Sequence, residues 1–261
     1  MRWLRLSLGN AAAVEVRKRW NWTKLVGRMD SVYRQTINYN SDTMFGNTPP
    51  PSQRIAFCTT CMNRLAHLQQ TLPKNLTDHK DSENYVFVLL DYADSQGVAR
   101  WIERNHLNDI EEGRLVYYRF NEPESFHVSH AKNMAHRCGL IEGADILVNL
   151  DADNYTGIRL ADFLAKRFAS HENVFLRTQD DLMRQTRGIG GRIAMRKSDF
   201  LLLGGYDEIF DTWGIEDKDL AERLKKLGLT QLDITEEFLE KITHSDEERV
   251  ANYNGAMTLL D

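Results

Sequence analysis

No apolar run in this 261-residue sequence approaches the roughly 20 residues that a helix needs to cross a bilayer, and residues 1–14 make a poor secretory signal. A cytoplasmic chain is therefore expected. Cysteine is scarce. Cys58, Cys61 and Cys138 form an odd set without framework spacing, which argues against a disulfide-stapled secreted domain. Cys58 and Cys61 do make C-x-x-C, but no second pair follows and Cys58 closes an apolar segment. Buried thiols are thus favoured over a zinc or redox site. Internal repeats and low-complexity tracts are absent as well.

What is present suits one substantial core: hydrophobic residues make up 42% of the chain, well above the range of disordered sequences. The net charge of -5 is unevenly spread. Residues 1–53 hold eight Lys/Arg against three Asp/Glu, a net of +5, which leaves -10 for the remainder. So acidic a body argues against nucleic acid as a partner. Residues 11–37 read as a basic helix carrying Trp20, Trp22, Leu25 and Val26. Such a helix either docks on the body of the protein or lies on an anionic membrane surface. Residues 38–52, with Pro49, Pro50 and Pro51, read as a linker, so the expected division is an extension over 1–53 and a single domain over 54–261.

From Arg54 onward, strand and helix patterns alternate. Strands are expected at Arg54–Thr60, Tyr85–Leu90, Leu115–Phe120 and Asp145–Leu150. Helices are expected around Leu65–Leu76 despite Pro73, around Val98–Ile102, and at Val128–Cys138. This order predicts an α/β fold with a mainly parallel sheet and helices on both faces. Ligands of such sheets bind at the carboxyl ends of the strands.

Three places carry candidate chemistry. Asp151-Ala152-Asp153 follows an apolar strand, and strand alternation would point both carboxylates the same way. Hard oxygen ligands there suit Mn²⁺ or Mg²⁺ bound to a diphosphate. Trp213-Gly214-Ile215-Glu216-Asp217 runs into a helix bearing Leu220, Leu224 and Leu227. The acids complement that helix's positive end, which is expected to keep Asp217 ionised and therefore a weaker base. An aromatic ring and flexible backbone just upstream suit a sugar-binding loop. His244 stands beyond the helix. Arg64, Asp91, Asp94, His130 and Lys132 fall at expected strand ends or helix starts, where nucleotide contacts would be needed.

The run from Gly190-Gly191-Arg192-Ile193-Ala194-Met195 through Phe200, Gly204-Gly205-Tyr206 and Trp213-Gly214-Ile215-Glu216-Asp217 resembles the C-terminal region of β-1,4-galactosyltransferases and chondroitin-polymerase-type transferases. Their pattern is G-G-x-x-A-x, an aromatic, a G-F or G-Y turn, and W-G-G-E-D. Met62-Asn63-Arg64, Val128-Ser129-His130-Ala131-Lys132-Asn133 and Thr243-His244-Ser245 extend the similarity, which also reaches family 2 glycosyltransferases. The resemblance implies a GT-A fold: a mostly parallel nucleotide-binding sheet joined to a mixed, acceptor-binding half. It implies that Asp153 and His244 hold the metal and that Asp151 meets the nucleotide. Gly190, Gly191, Trp213, Gly214 and Glu216 would line the sugar and acceptor site, with Asp217 as general base.

The reaction implied is inverting transfer from a UDP-sugar, with galactose or N-acetylgalactosamine favoured, to a glycan or glycolipid hydroxyl at the inner face of a bacterial membrane. Ile215 replaces the second Gly of the loop, Lys241 stands where some members add a sulfur ligand, and Gly188 takes the place of an aromatic that limits donor size. The alternatives are a retaining N-acetylgalactosaminyltransferase-like enzyme, a sugar-nucleotide nucleotidyltransferase and a noncatalytic glycan-binding module. The second lacks its Gly-rich, Lys/Arg-bearing phosphate loop here.

Overall fold

A computed structural model describes residues 53–178, 189–211 and 214–243. The expected helix over 11–37, the linker, Gly188, Trp213 and His244 lie outside the described residues. Strand β1 (Ile55–Cys61) is followed by α1 (Leu65–Asp78), β2 (Tyr85–Tyr92), α2 (Val98–Asn105), α3 (Leu107–Glu111), β3 (Leu115–Phe120), α4 (Val128–Ile141) and β4 (Ile146–Asn149). The second half brings α5 (Leu160–Ser170), β5 (Val174–Arg177), β6 (Ile193–Arg196), α6 (Lys197–Leu203), α7 (Glu216–Lys226) and β7 (Thr230–Leu232).

The strands form one seven-stranded sheet in the order β3-β2-β1-β4-β6-β5-β7. Strands β1 to β4 pair in parallel. Strand β6 runs antiparallel to both β4 and β5, whereas β7 runs parallel to β5. The expected parallel half and mixed half are both present, and they join along β4 and β6.

Strand β2 is buried at every position and β1 at all but Thr60. Continuous apolar runs of this kind mark strands covered on both faces. Removing each Val, Leu or Ile side chain from water contributes about 1.5–3 kcal/mol. Helix α4 lies across β1 and β4 because Gly139 has no side chain. A Cβ there would stand 2.9 Å from Leu147 Cδ2 and 3.1 Å from both Ala56 Cβ and Cys58 Sγ. That close approach seats the C-terminal part of α4 against the parallel half of the sheet.

All three cysteines are buried thiols, and burial pushes Cys138 up to about 12 and Cys58 and Cys61 higher still. Such thiols are poor nucleophiles. Among the described residues, no helix is long and apolar enough to cross a membrane.

Candidate active site

Strand β4 ends at Asn149, so Asp151 and Asp153 stand in the turn that follows and not on a strand. The alternation argument therefore fails, and each carboxylate is held by its own neighbour. Asn149 Nδ2 donates to Asp151 Oδ1 at 3.1 Å and to the Gly191 carbonyl at 2.8 Å. Asn154 Nδ2 donates to Asp153 Oδ1 at 2.6 Å. Helix α1 pins the same turn: Thr71 Oγ1 donates to the Ala152 carbonyl at 2.7 Å and Asn75 Nδ2 to the Asn154 carbonyl at 3.0 Å. The turn is thus a rigid, doubly anchored shelf at the carboxyl edge.

The acids at the start of α7 meet that shelf across Gly191. A Cβ on Gly191 would lie 2.8 Å from Asp217 Oδ2 and 2.9 Å from Asp151 Oδ2, so glycine here is what lets the two carboxylates approach the same backbone. Between them stands Lys132 of α4. Its Nζ reaches Glu216 Oε1 at 2.8 Å and Asp217 Oδ1 at 2.7 Å. The Lys132 and Glu216 side chains are only 5% and 2% exposed, while Asp217 keeps 17%. Asp217 is therefore the member of the group that a substrate can reach. The Gly214 N–H donates to Glu216 Oε2 at 2.9 Å from a left-handed backbone, φ 113°, which ties the upstream loop to the same carboxylate.

Burial dominates the protonation of this group. It pushes Asp217 up to about 7 against the pull of Lys132, with Glu216 and Asp151 adding repulsion. The expected effect of the helix N-terminus is overridden, because desolvation of a carboxylate outweighs a terminal dipole worth about 0.3–1 kcal/mol. Asp151 is likewise raised, first by burial and then by Asp153, with Lys132 opposing. Glu216 goes the other way. Burial works against its charge, but Lys132 and the backbone hydrogen bonds hold its carboxyl below the usual range. Two neighbouring carboxylates pushed in opposite directions divide naturally into a proton acceptor and a permanently charged partner.

Asn133 holds the next turn in place: its Nδ2 donates to the Tyr206 carbonyl at 2.9 Å while its Oδ1 accepts from the Tyr206 N–H at 2.7 Å. Tyr206 in turn lies under Lys132, 5.3 Å from Nζ to the ring centre.

The residues expected at the nucleotide end are placed at the same edge, and most are already engaged. Asp91 is fully buried; it accepts from the Asp94 N–H at 2.8 Å and closely from Tyr117 Oη, and burial raises its pKa. Both oxygens of Asp94 accept backbone hydrogen bonds, from Asn63 at 3.0 Å on one and from Gly97 and Val98 at 2.7 and 3.0 Å on the other. Asp94 thereby shapes the loop between β2 and α2. His130 Nδ1 pairs with Tyr92 Oη at 2.8 Å. Arg64 precedes α1, whose Leu68 N–H donates to its carbonyl at 3.0 Å. The Gly190 carbonyl accepts from Arg177 Nε at 2.9 Å.

Sequence reasoning assigned no role to Asn133, Asn149, Asn154 or Arg192. Asn149, two positions before Asp151, and Asn154, directly after Asp153, were the available signal for two of them. Among the described residues, no group of three or more His, Cys, Asp or Glu side chains gathers around a cation position. The same turn pairs with the chain near Lys241: Asn154 and Lys241 form an antiparallel bridge, and the Ile242 N–H donates to the Asp153 carbonyl at 2.8 Å.

Residues 177–248, fewer than a third of the chain, match the family model described as the N-terminal domain of galactosyltransferase. Among solved structures, mannosyltransferase PcManGT from Pyrobaculum calidifontis, in complex with GDP-Man and Mn²⁺, is similar with a TM-score of 0.57 and 18% identity over 83% of this chain and 67% of its own. TarS from S. aureus, in complex with UDP, has a TM-score of 0.58 and 10% identity over 75% of this chain and 62% of its own. GalNAc-T7, with UDP, GalNAc and Mn²⁺, has a TM-score of 0.55 and 13% identity over 71% of this chain and 43% of its own. This chain therefore spans about two thirds of the first two solved chains, that of TarS being residues 1–349, and under half of the third. No curated protein sequence matches it. In class, the fold is that of the GT-A glycosyltransferases. In particular, the chain carries a galactosyltransferase-type segment, and that segment contains both Gly191 and the Glu216-Asp217 pair.

Proposed function

We propose that residues 54–261 catalyse inverting transfer of a hexose, galactose or N-acetylgalactosamine, from a UDP-sugar to a hydroxyl of a glycan or glycolipid. The observation that carries this reading is Asp217. It is a partly exposed carboxylate pushed up to about 7 beside a Lys132–Glu216 pair, facing Asp151 across Gly191. A base with a pKa near working pH is what proton removal from a sugar hydroxyl requires. The acceptor oxygen bonds to the anomeric carbon as the bond from that carbon to the diphosphate oxygen breaks. The hydroxyl proton passes to Asp217, and UDP departs with the bonding electrons. Glu216, held charged by Lys132, orients the acceptor through its hydroxyls, beside Trp213 and Gly214.

The donor set fits a divalent cation: Asp153, with one oxygen fixed by Asn154, is a hard ligand, and the strand-like pairing of Ile242 to Asp153 leads toward His244. Mixed carboxylate and imidazole ligation suits Mn²⁺, as does the presence of Mn²⁺ in the PcManGT and GalNAc-T7 complexes. Bound there with the diphosphate, Mn²⁺ would supply neutralisation of the leaving group's charge. Asp151 takes the nucleotide's ribose or its water shell. Arg64, Asp91, Asp94 and His130 form the base end. Lys132 is read as the counter-charge of the catalytic pair.

The test is incubation with a panel of UDP-sugars and Mn²⁺, reading UDP release and the anomeric configuration of the product. UDP release from galactose or N-acetylgalactosamine donors with an inverted product is expected; a retained configuration supports the second reading, which the likeness to GalNAc-T7 favours. No release from any donor overturns both.

A further inference from the structure

Arg192 is the bulkiest of the side chains that are under 2% exposed, at 1%. It occupies the first variable position of G-G-x-x-A-x, to which the resemblance assigns nothing. Burying a guanidinium is costly unless charge and hydrogen bonds compensate, and burial does lower its pKa to about 10, with Asp151 and Asp153 pulling it back up. It therefore stays a cation at neutral pH. Its compensation is also incomplete, since Nε and Nη1 have no hydrogen-bond partner among the described residues. Its side-chain hydrogen bonds among the described residues run to the segment directly after D-x-D. Nη2 donates to Asn154 Oδ1 at 3.0 Å and to the Tyr155 carbonyl at 2.8 Å. Accepting at Oδ1 fixes which way the buried Asn154 amide faces, and its Nδ2 is thereby aimed at Asp153 Oδ1, 2.6 Å away.

We infer that Arg192 is a positioning residue for the divalent cation: through the Arg192–Asn154–Asp153 relay it holds the Asp153 carboxylate in the orientation that ligates metal with the nucleotide. This rests on the donor reading above. Without the guanidinium, the Asn154 amide is free to rotate and present its oxygen to Asp153, turning a hydrogen bond into a repulsion. A side chain that served packing alone would affect folding and leave the cation's affinity untouched.

The experiment measures Mn²⁺ binding to the full chain in the presence of saturating UDP, from the loss of the free Mn²⁺ paramagnetic signal, for wild type and Arg192→Met. Removing a partner that orients a metal ligand typically weakens metal binding about 10- to 100-fold, and that range is expected here, with UDP affinity in chelator within about twofold of wild type. Unchanged Mn²⁺ affinity in folded Arg192→Met overturns the relay. Should that variant not fold, Arg192→Lys decides. It retains the charge but cannot span Asn154 Oδ1 and the Tyr155 carbonyl with one planar group, so at least threefold weaker Mn²⁺ binding is expected and wild-type affinity overturns the inference. Wild type that binds no Mn²⁺ with UDP would instead overturn the donor reading itself.

Discussion

The two sides of strand β4 are built on different physics. On one side β1 and β2 pair in parallel register and bury an almost unbroken apolar surface, interrupted by Asp91. On the other, beyond β6, the interior holds charge: Arg192 at 1% exposure and Glu216 at 1%, the latter facing Lys132 of α4 at 4%. Apolar burial is non-directional and forgiving of repacking. A buried ion pair instead demands its partners in fixed geometry, and losing one partner costs about 3–5 kcal/mol. The parallel half therefore supplies stability and the mixed half supplies chemistry. Substitutions on the two sides should separate folding from turnover.

The largest separation is expected at Asp217. Asp217→Asn keeps the shape and removes the base, so transfer should fall about 10²- to 10⁴-fold while UDP-sugar binding and thermal stability stay close to wild type. Steady-state turnover beside a binding isotherm checks this. Full activity in Asp217→Asn, with Glu216→Gln inactive, would exchange the two roles.

Gly191→Ala comes next. Its new methyl would stand under 3 Å from oxygens of both Asp151 and Asp217, forcing them apart. A misplacement of this order costs about 10²-fold in rate, and the melting temperature measured alongside should move little.

A smaller effect is the pH profile. Because burial pushes Asp217 up to about 7, kcat/KM should rise through an acid limb near that value, and Lys132→Met, which removes the cation opposing the shift, should move the limb upward. The same shift has a sign for stability. The folded chain keeps a proton on Asp217 that the unfolded chain releases at the ordinary aspartate range, so this group's contribution falls as pH rises through the interval up to about 7. A profile flat from pH 5 to 8 would remove Asp217 as the base.

The smallest effect belongs to the apolar side. Gly139→Ala overpacks the contact of α4 with Leu147, Ala56 and Cys58, a cost of about 1–3 kcal/mol partly offset by a gain of about 1 kcal/mol in helix propensity. A drop of a few degrees in Tm is expected, with turnover per folded molecule unchanged; a large loss of turnover at unchanged Tm would break the division between the two halves.

The same division governs what the sequence made legible. Strands β1 to β4 and helices α1, α2 and α4 fall within a few residues of their expected limits, because short apolar runs and helical spacing are local signals. The D-x-D turn and the acids opening α7 were legible as motifs. Their meeting was not: Lys132 stands 84 and 85 positions before Glu216 and Asp217, and nothing local announces that pairing. The direction of the Asp217 shift was misread for the same reason. The dipole of its own helix is visible in sequence, whereas burial by α4 and the Gly191 turn is not. Nothing local in the sequence announces the hydrogen bonds of Arg192, just before β6, to Asn154 and Tyr155. The backbone hydrogen bonds that Asp94 accepts from Asn63, Gly97 and Val98 are equally invisible in the sequence.

The account stands most directly on one titration: UDP into the full chain by calorimetry, with Mn²⁺ and then with chelator, for wild type and Asp153→Ala. Mn²⁺-dependent UDP binding is expected in wild type, at least tenfold weaker in chelator and equally weak in Asp153→Ala with metal, in line with the loss of one ligand. Equal UDP affinity with and without the cation, unmoved by Asp153→Ala, would contradict the claim that the shelf beyond β4 holds the metal and the diphosphate of the donor.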